Sequence, residues 1–112
     1  MPESAEAPEI DVHEFARRRA TGAAVLDVRQ PAEYVEAHVP GALLIPLDEL
    51  ADRLDEVPAA GGVPVVVICR SGARSAVASE FLRANSIEST NLDGGMLAWI
   101  EAGFDVEHGP AE

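Results

Sequence analysis

The chain has 112 residues, of which 47% are hydrophobic and 4% aromatic, and it carries a formal net charge of −12. That length suits one domain around a single core of Ala, Val, Leu and Ile, and no apolar run approaches the roughly 20 residues of a membrane-spanning helix. The charge excludes nucleic acid as a partner, since nothing offsets phosphate repulsion, but a small anion can still bind where the local field opposes the global one.

All eight basic residues are arginine, which genomic composition bias explains, yet two of them fall within Arg70–Arg74. The single cysteine excludes an internal disulfide and a Cys-rich zinc site. Residues 1–8 are acidic and proline-flanked, without the apolar stretch of a signal peptide, so a disordered arm and a cytoplasmic location are the expectations. The domain itself is expected over 9–107, with 108–112 as a tail.

Ile10 is expected in a short edge strand. Asp11 and Glu14 form a capping-box-like pair, and Val12, Phe15, Ala16 and Ala20 follow at helical spacing, so a helix should run to about Gly22. Its Arg17-Arg18-Arg19 run fans around the helix axis and reads as a solvated face rather than an anion patch. Ala23 to Val28 fits a strand buried on both faces. Pro31 suits the first position of a short helix to Ala37, Val39-Pro40-Gly41 a turn, and Ala42 to Ile45 another strand. Leu47, Leu50, Leu54 and Val57 are spaced for the buried stripe of a third helix, and a loop from Pro58 to Gly62 follows.

Val63 to Ile68 reads as the central strand. Ser75 to Ala84 is expected as a helix with Val77, Ala78, Phe81 and Leu82 inward, stopped by Asn85 in a left-handed conformation. Ser89 to Leu92 is a weaker strand, and Gly94 to Ala102 a last helix carrying Met96, Leu97, Trp99 and Ile100. Phe104 to Val106 is expected to close the sheet. Strands alternating with helices imply an α/β domain with a mostly parallel central sheet of about five strands and helices on both faces.

Chemistry concentrates in Cys69-Arg70-Ser71-Gly72-Ala73-Arg74-Ser75. Ligand sites in such sheets lie beyond the carboxyl ends of the strands, where Cys69 falls. Exposed N–H groups of the loop and first helical turn favour a thiolate there, and Arg70 and Arg74 add positive charge. Gly72 lets the backbone curl. An inert core cysteine is the alternative, free cysteine being among the most buried residues. The arginines argue against it, because guanidiniums at an apolar strand end are costly unless they face a ligand or a carboxylate.

At these residues the chain resembles the rhodanese family, as a stand-alone single domain from about Ile10 to Val106. Three motifs carry the resemblance. The first is Leu26-Asp27-Val28-Arg29, then Glu33-Tyr34 and His38-Val39-Pro40-Gly41-Ala42. The second is the Cys69–Ser75 loop. The third is Leu92-Asp93-Gly94-Gly95 with Trp99 and Gly103. The resemblance implies a thiosulfate-type sulfurtransferase in which Cys69 takes a sulfane sulfur from a small anionic donor as a persulfide. An external thiol or thiol protein, or cyanide in the assay, would accept it. It also implies that Arg70 and Arg74 bind the donor's oxygens while the backbone from Arg70 to Ser75 stabilises the persulfide. No cofactor or metal is implied, no membrane or nucleic-acid partner, and a monomer is expected.

Phosphatases and arsenate reductases on this fold carry a longer loop, the phosphatases with arginine six positions after the cysteine; here Ser75 holds that position and Arg74 stands five after, which disfavours both. A non-catalytic binding module is the other alternative. Asn85 stands where the family usually has glycine and Ser89 where an apolar residue is usual. Asp27 and Arg29 end a neighbouring strand and read either as donor-binding or, preferably, as a buried ion pair. His38 reads as a structural histidine bonding backbone near the Pro40-Gly41 turn, Trp99 as core, and Gly94-Gly95 as a tight strand-to-helix turn.

Overall fold

The computed structural model describes residues 8–58 and 62–110. The expected arm up to residue 7, residues 59–61 of the expected loop, and residues 111–112 of the expected tail lie outside the described residues.

Five strands form one sheet, paired in parallel throughout: β1 (Glu9–Ile10), β2 (Val25–Asp27), β3 (Leu43–Leu44), β4 (Val65–Ile68) and β5 (Ser89–Leu92), in the order β1-β5-β4-β2-β3. All four residues of β4 are buried. Val66 and Ile68 face the layer holding Phe15, Met96 and Trp99, while Val65 and Val67 face Leu50, Ala78 and Leu82. The alternation is the period of two of a strand covered on both sides. Each such valine contributes about 1.5–3 kcal/mol by leaving water.

Helices α1 (Val12–Ala20) and α4 (Gly95–Glu101) supply the first layer, and α3 (Ala73–Ala84) and the segment Leu47–Glu56 the second. α2 (Pro31–Glu36) buries Tyr34 against the first layer. Asp11 caps α1 by accepting the Glu14 N–H at 2.8 Å, which satisfies one of the helix's orphan donors. Within the arginine run of α1, Arg17 and Arg18 pair with Glu14 on the surface, but Arg19 turns back, donating to the Pro40 carbonyl and lying 5.9 Å from the Trp99 ring centroid.

Several expectations are corrected. The third helix is a 3₁₀ segment with a non-helical residue at Arg53, whose side chain is tied to Glu49 and Glu56. α3 starts at Ala73, two residues before the expected Ser75, because Gly72 with φ +110° turns the chain directly into the helix. Val77 is 57% exposed rather than inward: Ala78 and Leu82 define the buried stripe, and Val77 lies off it. The left-handed residue after α3 is Ser86 (φ 65°), while Asn85 keeps φ −103° and donates its side-chain amide to the Phe81 carbonyl. Phe104–Val106 does not join the sheet. Phe104 stacks on Trp99 instead, and the only pairing in this stretch is an antiparallel bridge between His38 and Glu107.

Pro8, expected in the arm, accepts the Asn91 N–H at the sheet edge, and His108 and Gly109, expected in the tail, bond the Glu36 and Val35 carbonyls of α2. The domain edges are therefore anchored by hydrogen bonds to backbone carbonyls that composition does not announce.

Ser89 does not weaken β5, every residue of which is buried and paired. Its hydroxyl donates to the Ser79 carbonyl at 3.0 Å and meets the Ser79 hydroxyl, so a small polar pair fills a gap between strand and helix. Ser89→Ala leaves the buried Ser79 hydroxyl unpaired and should destabilise the fold by about 1–3 kcal/mol in urea unfolding. The Ser79→Ala/Ser89→Ala double variant should recover part of that loss, because no orphaned hydroxyl remains.

Candidate active site

The carboxyl ends of β2 and β4 lie side by side, with Asp27 in register with Ile68. From there the chain runs outward to β3 on one side and to β5 on the other, which opens a crevice at the strand ends. Cys69 follows Ile68 directly, and its side chain lies at the junction with α3.

Cys69 is 1% exposed, but its sulfur is not enclosed by hydrocarbon alone. Sγ accepts the Gly72 N–H at 3.1 Å, and the Ser75 hydroxyl lies 3.3 Å away. Burial pushes the thiol's pKa up. Against burial, the N–H groups of Ser75, Gly72 and Ser71, and the Ser75 hydroxyl wherever its proton turns to the sulfur, pull it down, so the thiol titrates below its ordinary 9.0. Arg70, Ser71 and Ala73 stand exposed on the loop. Of the residues from Cys69 to Ser75, the loop and first helical turn bring Ser71, Gly72 and Ser75 to the sulfur.

The loop is held in this shape by α4, a role that a reading of Gly94-Gly95 as a turn leaves out. The Met96 and Leu97 N–H groups, orphan donors of the first turn of α4, bond the Cys69 carbonyl at 2.8 Å and the Arg70 carbonyl at 3.1 Å. Gly95 makes this approach possible: a Cβ there would stand 2.4 Å from the Cys69 oxygen and 2.7 Å from that of Arg70. With those carbonyls turned toward α4, the loop's N–H groups are left to face the sulfur.

The two loop arginines differ. Arg74 makes a two-pronged ion pair with Glu33 of α2, at 2.8 and 2.9 Å, while Arg70 is exposed and has no side-chain partner among the described residues. Hydrogen bonding to Arg74 holds the Glu33 carboxyl down at about 2, with its own bond to the Gln30 N–H and the charge of Arg29 assisting. Asp27 and Arg29 lie behind the loop as a buried pair. Arg29 Nε and Nη2 grip both carboxylate oxygens, and Nη2 also donates to the Ala37 carbonyl at 2.7 Å. The Arg29 side chain spends its polar contacts on these groups and does not reach the sulfur. His38 stacks on Tyr34 at 3.7 Å between centroids, and its Nδ1 bonds the Tyr34 carbonyl at 2.8 Å, fixing the turn before β3.

Asn91 of β5, which no motif in the sequence singled out as a site residue, also belongs to this centre. It is buried, it bonds the Ser75 hydroxyl, and its amide donates to the Gly72 carbonyl at 3.3 Å and to Glu9 at 2.9 Å. The only sequence signal available was a buried strand position occupied by an amide.

A parallel sheet covered on both faces, with a buried thiol among loop N–H groups at its switch point, defines an α/β domain whose candidate site is centred on Cys69. A family model described as the rhodanese-like domain matches residues 11–102, and the chain belongs to that family. It is 43% identical over 100 residues to the HTH-type transcriptional regulator Rv0324 of Mycobacterium tuberculosis, covering 86% of this chain but 43% of that protein. It is 37% identical to a sulfurtransferase of Allochromatium vinosum, covering 88% of this chain and 92% of the other. Among solved structures, the thiosulfate sulfurtransferase of Pseudomonas aeruginosa superposes with a TM-score of 0.83 at 27% identity, over 95% of this chain and 21% of that one. The chain thus spans under half of the regulator and nearly all of the A. vinosum protein.

Two outcomes test this geometry. Glu33 is more acidic folded than its ordinary 4.5, so its contribution to stability is present above pH 4.5 and is lost as the pH falls toward about 2. Glu33→Gln should lower the melting temperature at pH 7 and flatten its decline between pH 4.5 and 2. Gly95→Ala should push the Cys69 and Arg70 carbonyls away and slow alkylation of the thiol by about tenfold or more, a barrier change of about 1.4 kcal/mol.

Proposed function

We propose that the chain is a sulfurtransferase of the thiosulfate class that carries sulfur on Cys69. The Cys69 thiolate attacks the outer sulfur of thiosulfate. The S–S bond of the donor breaks as the new one forms, and its electron pair leaves with sulfite. The enzyme then holds Cys69–S–S⁻, and the total charge is unchanged. In the second half-reaction an external thiolate or cyanide attacks the terminal sulfur and restores the Cys69 thiolate. Because the chain has one cysteine, no second thiol in it can resolve the persulfide, and the acceptor comes from outside.

One observation carries this reading: the sulfur of Cys69 sits among the N–H groups of Ser71, Gly72 and Ser75 at the start of α3. Donors fixed before the reaction stabilise an anion without reorganising, and here they serve the thiolate and the charged persulfide alike. The sulfurtransferase relative that matches nearly end to end supports the same class. Within that reading Arg70, exposed and without a side-chain partner among the described residues, binds the sulfonate oxygens of the donor. Arg74, held by Glu33, acts chiefly as a tether between α3 and α2.

Incubation with thiosulfate should add one sulfur to the intact mass, and Cys69→Ser should abolish the adduct. A chain that takes up no sulfur at any pH would instead be a binding module. Arg70→Ala should raise KM for thiosulfate by about tenfold, the effect of one lost charge-assisted contact, without moving Tm, whereas Arg74→Ala should lower both Tm and kcat/KM.

A further inference from the structure

The Ser75 hydroxyl stands between two acceptors but owns one proton. Its Oγ lies 3.3 Å from Cys69 Sγ and is bonded to Asn91 Oδ1. Both Ser75 and Asn91 are buried, at 0% and 1% exposure, so no bulk solvent intervenes to supply a second donor.

The orientation of Asn91 is fixed by its other partners. Its Nδ2 donates to a Glu9 carboxylate oxygen and to the Gly72 carbonyl, both of which can only accept. Turning the amide over would set its oxygen against two acceptors. Oδ1 therefore faces Ser75 and requires a donor from it. That requirement sets the hydroxyl proton on Asn91 and turns the lone pairs of Oγ to the sulfur, in competition with the 3.3 Å bond that the same hydroxyl can donate to Sγ. In that arrangement Ser75 receives the S–H of the neutral thiol, and it donates to a thiolate only by leaving Asn91.

We propose that Asn91 is a positioning residue that holds the single Ser75 hydroxyl proton off Cys69 Sγ and so limits the thiolate to the backbone donors of the loop. The proposal rests on Cys69 being the sulfur carrier and adds a control on its nucleophilicity. A thiolate with fewer donors is more basic and attacks harder, while the loop N–H groups still favour the anion over the buried neutral thiol. The charged groups at this end of the sheet are Arg70 of the loop, Arg74 of α3 paired with Glu33 of α2, Asp27 of β2 paired with Arg29, and Glu9 of β1, which contacts the site through Asn91. The start of α4 presents backbone donors.

The test titrates the thiolate by its ultraviolet absorbance in the full chain, with Cys69→Ser as the blank. It needs no sulfur donor, so its outcome is independent of whether sulfur transfer occurs. Asn91→Ala should free the Ser75 proton for the sulfur and lower the midpoint by about one pKa unit, tenfold in the ionisation constant. Ser75→Ala alone should not raise the midpoint, whereas adding Ser75→Ala to Asn91→Ala should raise it back by about the same unit. If Asn91→Ala does not fold, as its melting curve will show, the similarly sized Asn91→Leu serves in the same comparison. An unmoved midpoint in the Asn91 variants, or an equal rise on Ser75→Ala in both backgrounds, overturns the proposal. A loss of packing alone would not reverse the effect of Ser75→Ala between backgrounds.

Discussion

Two backbone hydrogen bonds set the reactive loop: those from the Met96 and Leu97 N–H groups to the carbonyls of Cys69 and Arg70. A loop that exposes both its donors and its acceptors to a buried sulfur would gain nothing electrostatically. Removing the acceptors to a neighbouring helix leaves a surplus of donors, and that surplus favours an anion. The device works because Gly95 has no Cβ, which lets α4 approach within hydrogen-bonding distance of the strand end. The orphan donors of one helix thus prepare the loop that leads into another.

Charge is arranged around this loop in pairs. Asp27 with Arg29 and Glu33 with Arg74 alternate in sign from the end of β2 through α2 to α3. The Glu33–Arg74 pair ties two elements that sequence separates, and Arg29, paired locally at the end of β2, secures the end of α2 through the Ala37 carbonyl. The buried Asp27–Arg29 pair is weak evidence for stability, because desolvation offsets much of its attraction, and the half-exposed Glu33–Arg74 pair is partly screened by solvent. Their value here is positional. They fix α2 relative to the loop and leave Arg70 as a cation without a side-chain partner among the described residues. An acidic chain can therefore present local positive charge at one point, which a net charge of −12 does not disclose.

Much of this was legible from residue order. The apolar run ending in Cys69 specified the central strand, and the arginines after it marked a place where charge needed a partner. Both follow from local composition, as does the cap at Asp11. What was missed depended on contacts between distant residues. Ser89 looked like a defect in β5 until Ser79 was placed against it. Phe104–Val106 read as a strand from its pattern, but Trp99 offered Phe104 a ring to stack on, and the sheet already ended at β1 and β3. Asn85 had the chemistry for a left-handed stop, yet its amide found the Phe81 carbonyl and the turn passed to Ser86.

The sequence by itself determined the α/β class, the place of the thiol at a strand's carboxyl end, and the loop too short for the phosphatase pattern, because periodicity, turn residues and spacing are properties of neighbours along the chain. Only the tertiary structure decided which arginine is engaged, which helix shapes the loop, and which groups compete for the Ser75 hydroxyl. Those depend on Glu33, Gly95 and Asn91, each brought to the loop by packing across the sheet, and the direction of a hydrogen bond exists only once both of its partners are in place.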